Sequence, residues 1–125
     1  MVINMKTRII YNDKLLSRLS WFMYIGGITL FPYIILRERY LNGIKYYTDK
    51  NLTIINHESI HIEQQKELLI IGFYLWYVIE WIIRLFMKGN AYQNISFERE
   101  AYANEHSMKY ISERKKYSFL KYLRK

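Results

Sequence analysis

Two of the three histidines in this chain lie four residues apart, in the run His57-Glu58-Ser59-Ile60-His61. On a helix, residues at i and i+4 share one face, so both imidazoles can reach a single metal ion. Glu58 projects to the side, where a carboxylate can take a proton from a metal-activated water. The chemistry this spacing points to is zinc-assisted hydrolysis. The plainer reading is a polar face near a helix start, with Glu58 favoured there by the helix dipole. The chain contains no cysteine. That excludes disulfides and thiolate zinc sites and restricts the ligands to imidazole and carboxylate.

A hydrolytic zinc site needs a third protein ligand and one open position. A long form of the motif, with a glycine and a third histidine further along the helix, would place them where Gln64 and Glu67 stand. Without the glycine the helix has no reason to turn back. A carboxylate from a later helix is the other solution, and Glu98-Arg99-Glu100-Ala101 supplies one.

With these two motifs, between His57 and Glu105, the chain resembles the gluzincin metallopeptidases, and most closely their minimal, single-domain members. Their second motif is often Glu-x-x-Ala-Asp or Glu-x-Glu-Ala on a helix. The resemblance implies that Glu98 is the third zinc ligand, with Glu100 as the alternative, and that the small Ala101 allows close approach to the active helix. Where many members carry an acidic residue after the alanine, this chain has Tyr102, so Asn104 or Glu105 would have to stand in for the usual supporting carboxylate. The implied activity is peptide-bond cleavage in a peptide or protein substrate, with Glu58 as general base. Tyr102 and His106, one and two turns beyond Glu98, would share its face as oxyanion donors or supports for the site. An exposed strand beside the active helix would hold substrate in extended form, either Tyr33–Arg37 or the second strand of a following hairpin.

The elements that must position these residues can be read around them. Trp21 to Leu36 is apolar, rich in branched and aromatic residues, and contains Gly26-Gly27 and the only proline, Pro32. Extended structure is expected over Ile28–Leu36, with Pro32 at an edge or bulge. Arg37–Leu41, Asn42-Gly43 and Ile44–Tyr47 form a hairpin pattern. Asp49, Asn51 or Thr53 can cap the helix that carries the histidines. Its apolar continuation, Leu68 to Phe86, ends at Lys88-Gly89-Asn90 in the manner of a helix C-terminus. Ser96 is the expected cap of a last helix from Phe97 to about Lys116. The class expected is α+β: one domain, with a small antiparallel sheet packed on the active helix and on a second, glutamate-bearing helix. As one continuous helix, His61 to Leu85 would run about 36 Å. Glu98 must therefore return along it, or the helix must break early, with Gly72 as the candidate.

The chain has 125 residues and a net charge of +8, concentrated in its first nineteen residues and from Lys88 onward. The excess suggests an anionic partner, a membrane surface or nucleic acid. The tail Arg114–Lys125 interleaves basic and aromatic residues in a way that suits either, and equally suits a solvated terminal helix. Leu68–Phe86 is apolar all round, as in a core helix, a surface-inserted one or a span; its unbroken run, Leu68 to Ile79, falls short of the ~20 residues a span needs. Met1–Arg18 shows no secretory pattern, so a cytoplasmic location is the expectation, with association to a membrane surface as an option. The competing class is a non-catalytic basic protein associated with membrane or nucleic acid.

Overall fold

The computed structural model describes residues 8–19, 26–37 and 49–124. The order is β1 (Arg8–Tyr11), α1 (Asp13–Leu19), β2 (Gly27–Leu30), β3 (Tyr33–Leu36), α2 (Asp49–Glu67), α3 (Ile71–Leu85), α4 (Ala91–Asn94), α5 (Ser96–Asn104), α6 (Tyr110–Glu113) and a closing 3-10 turn, Ser118–Tyr122. The fold is α+β, as the sequence pattern implies. The predicted hairpin around Asn42-Gly43 lies outside the described residues.

The apolar run of Ile28–Leu36 is folded in half. Phe31 and Pro32 make the turn between β2 and β3, so Pro32 sits between two strands and costs neither a ladder hydrogen bond. The sheet is mixed: β3 is central, antiparallel to β2 and parallel to β1. This corrects the expectation that Tyr33–Arg37 is the exposed edge. Among the described residues the edge strand beside α2 is β2, because β3 is paired on both sides. Ile34 and Leu36 of β3 pack on Ile55 and Ile62 of α2 in one cluster. On α1, which contacts β3, Leu16 is fully buried.

The long apolar stretch bends sharply. The chain bends by 111° between α2 and α3, and the break falls at Leu69 and Ile70, not at Gly72. Leu69 has φ 55°, the left-handed conformation that closes a helix end. The Ile70 N–H reaches back to the Gln65 carbonyl at 2.7 Å. Ile70 itself has φ 66° and ψ −63° and sits inside a γ-turn, with the Ile71 N–H on the Leu69 carbonyl at 2.7 Å. The bend returns the chain at once, so Glu98 need not travel the length of a continuous helix. Among the described residues no single helix is long and apolar enough to cross a bilayer; α2 and α3 satisfy that test only as a bent pair.

The last helix is also shorter than its pattern suggests. It ends at Asn104 instead of near Lys116. Ser96 is its first residue, not its cap, and the Glu80 carboxylate on α3 takes over the capping role. Glu80 accepts from the Ser96 N–H at 2.8 Å and from its hydroxyl at 2.6 Å. A carboxylate at that position satisfies an otherwise orphaned amide and meets the positive end of the helix. Phe73, Ile95, Phe97 and Phe119 form a second core cluster. The tail is thereby docked, not frayed: Phe119 is in the core, and the Arg114 side chain is enclosed between Glu67 and Glu100.

Candidate metal centre

Helix α2 places His57, Glu58 and His61 within two turns, and the bend at Leu69–Ile70 lets α5 cross beside them. His57 Nε2, His61 Nε2 and Glu98 Oε2 converge on one point. Their mutual separations are 3.1 Å (His57–Glu98), 3.2 Å (His57–His61) and 3.3 Å (His61–Glu98). All three residues are buried, and each offers one ligand atom to the group. Nitrogen and oxygen ligands at ~2.0–2.1 Å from a tetrahedral zinc stand roughly 3.3 Å apart, so the triangle has the right size for that ion.

The surrounding hydrogen bonds set the tautomers. Gln64 Nε2 donates to the Phe97 carbonyl (3.1 Å) and to Glu100 Oε2 (2.8 Å), both of which only accept. That orients the amide and leaves Gln64 Oε1 facing His61 Nδ1 at 2.7 Å, so His61 carries its proton on Nδ1. Glu105 Oε2 lies 2.8 Å from His57 Nδ1 and imposes the same tautomer there. Both Nε2 lone pairs therefore point at the common centre, the arrangement a metal requires. Tyr77 completes the set by donating to Glu98 Oε1 at 2.9 Å, which leaves Oε2 for the centre.

Without a cation, this cluster holds protons instead. Burial opposes the charged imidazolium of His57, but hydrogen bonds to Glu105 and Glu98, with the charge of Glu58 nearby, raise its pKa to about 10. His61 is raised in spite of its burial, chiefly by Glu98. Burial pushes the Glu98 carboxyl upward, but the two imidazoles outweigh it and hold it below the usual carboxylate range. An anionic oxygen facing two imidazoles attracts positive charge, whether as protons or as a metal ion.

Glu58 lies beside the triangle. Thr29 Oγ1 on β2 donates to Glu58 Oε2 at 2.6 Å and to its main-chain carbonyl at 3.1 Å. A Cβ on Gly27 would stand 2.7 Å from Leu36 Cδ2 on β3, so a larger residue there would have to displace that side chain, and it would touch Glu58 Oε1 at 3.4 Å. A cavity of about 570 Å³ opens over Gly27, Glu58 and the ligand group, with Tyr74, Tyr77, Tyr92 and Tyr102 on its walls.

The fold thus brings His57, Glu58, His61 and Glu98 together. Glu100, the alternative ligand, faces elsewhere and is held by Gln64, Tyr110 and Arg114. Tyr102 lines the cavity, its ring 4.6 Å from that of His57. His106 does not: α5 has ended, and its side chain is 80% exposed. Glu105 supplies the supporting carboxylate, whereas Asn104 bonds the Glu100 carbonyl and Tyr122. Sequence reasoning missed Thr29, Tyr77 and Tyr92, and read Gln64 only as a missing glycine. A glutamine one turn past the second histidine was the one local signal, since residues three apart meet on a helix. Compared with protein-family profiles, curated proteins and solved structures, the chain matches none.

Proposed function

We propose that this protein is a zinc-dependent hydrolase of gluzincin type that cleaves peptide bonds. The observation that carries the reading is the triangle of His57 Nε2, His61 Nε2 and Glu98 Oε2, with both Nδ1 protons fixed by neighbouring acceptors. A zinc ion bound there would supply Lewis acidity and lower the pKa of a water to near ~7.

The chain's own groups divide the remaining work. Glu58 is the general base. Its Oε2 is tied to Thr29, which aims the carboxylate, and it takes the proton from the attacking water and returns it to the leaving amine. Tyr92 and Tyr102 stand on the cavity wall. Burial raises both pKa values, so each phenol keeps its proton and can donate it to a developing oxyanion.

Strand β2 orients the substrate. The Arg37 N–H bonds the Gly26 carbonyl at 3.1 Å, which sets a register in which Gly27 and Thr29 turn their main-chain groups away from β3. The Thr29 carbonyl is already taken by Gln65 (3.0 Å) and Tyr74 (3.1 Å). Gly27 is left as the main-chain position over the cavity that can pair with an extended peptide.

Metal analysis of the purified chain, read beside two variants, tests this reading. About one zinc per chain is expected. Glu58→Gln should keep the metal and lose hydrolysis of an unstructured protein substrate by ~10²–10⁴-fold, while His57→Ala should lose the metal itself. Full activity in Glu58→Gln would overturn the proposal.

A further inference from the structure

Helix α3 carries its polarity inside out. Between Leu68 and Met87 the only charged residues are Glu80 and Arg84. Both are buried, paired with each other at 3.3 Å and bound to Ser96 and the Leu123 carbonyl. They share the inner face with Phe73 and Tyr77, which line the cavity. At about 100° per residue, Ile71, Leu75, Val78, Ile82 and Phe86 fall on the opposite face. That face is apolar throughout and open: the two end positions, Ile71 and Phe86, are 79% and 88% exposed, and Leu75 between them 62%. A helix on a water-facing surface shows the reverse pattern, and a charge turned inward beneath an apolar exterior is the habit of helices that meet lipid.

We infer that the outer face of α3 lies in the surface of an anionic lipid bilayer. Charge complementarity selects that occupant. The segment from Lys88 onward holds nine basic and four acidic residues. The Arg84 bond to the Leu123 carbonyl keeps the end of this segment beside the C-terminal half of α3. Lys115, Lys116 and Lys121 are exposed on it, and their long stems can carry the ammonium groups toward lipid phosphates. A second copy of the chain would bring another +8 against the same face, whereas anionic lipid neutralises it. The helix is too short to span, so it lies in the interface plane. The metal site then stands about one helix diameter, ~10 Å, from the lipid.

The absence of cysteine permits a direct test. Leu75→Cys and, as a control on exposed Glu113, Glu113→Cys are each labelled with an environment-sensitive dye in the full chain. Each is mixed with phosphatidylcholine vesicles, with or without phosphatidylglycerol. The expected result is a blue shift at position 75 only, larger with phosphatidylglycerol. The triple variant Ile71→Gln, Leu75→Gln, Ile82→Gln should lose vesicle affinity by about tenfold or more while keeping its metal content. Lys115→Gln, Lys116→Gln, Lys121→Gln should lose the preference for the anionic vesicles. A dye at position 75 that is already shielded without lipid, by self-association or by another part of the chain, would sink the inference. So would vesicle binding that leaves position 75 wet.

Discussion

At the scale of single residues, the centre is built from ligands that the sequence names and supports that it hides. His57, His61 and Glu98 were legible because their types are rare here and their chemistry admits few alternatives. Tyr77 was not, since its contact with Glu98 exists only after α3 folds back across a gap of 21 residues. His106 was misplaced because a face counted along a helix is lost where the helix ends, and α5 ends two residues earlier. Gln64 is the support whose effect is easiest to isolate, because it would act on a bound metal only through the proton on His61 Nδ1. Gln64→Leu keeps all three ligands but removes the acceptor that fixes that tautomer. Its zinc affinity should fall by roughly 10–100-fold, as for other supports of a metal ligand. Competition against a chromophoric chelator measures this, and an unchanged affinity would show that the amide is not needed. Tyr102→Phe, which leaves His57, His61, Glu98 and both Nδ1 acceptors in place, should show the same zinc affinity as the native chain.

Elements were legible in type and less so in their limits. The pairing of a small sheet with histidine-bearing and glutamate-bearing helices follows from hydrophobic pattern and breaker residues. The break in the long apolar helix does not, because it falls on Leu69 and Ile70 and bypasses Gly72, where propensity would put it. Packing decides the position: Phe73 must meet Phe97, with ring centres 4.5 Å apart, and that fixes where α3 can begin. Two non-glycine residues are consequently held at positive φ, each at a cost of about 1–2 kcal/mol. Leu69 is 84% exposed, so its side chain returns little in burial. Leu69→Gly should therefore stabilise the lipid-free chain by about 0.5–1 kcal/mol, after the extra chain entropy of glycine is subtracted. The urea midpoint should rise at constant slope, and a fall would mean that the bend is held by leucine contacts and not merely tolerated.

Across the whole molecule, the two core clusters and the cavity between them bury phenol groups along with the apolar side chains, which ties stability to alkaline pH. Tyr77 and Tyr92 are both pushed well above the ordinary tyrosine range, by burial first and then by the negative charge of Glu98. Tyr110 is raised in the same direction by burial and by its hydrogen bond to Glu100. In the unfolded chain a tyrosine ionises near ~10. Above that pH the unfolded state binds fewer protons than the native one, so unfolding becomes more favourable as pH rises. The contribution of these groups is fully present below about pH 10 and is lost above it, toward their raised folded-state values. Tyrosinate absorbance and far-ultraviolet circular dichroism, followed together through an alkaline titration, separate the two states. Part of the absorbance from the thirteen tyrosines should appear only in step with loss of helical signal. Complete ionisation while the helices remain intact would place Tyr77, Tyr92 and Tyr110 in contact with water, and the burial of Tyr77 and Tyr92 on the cavity wall would then have to be redrawn.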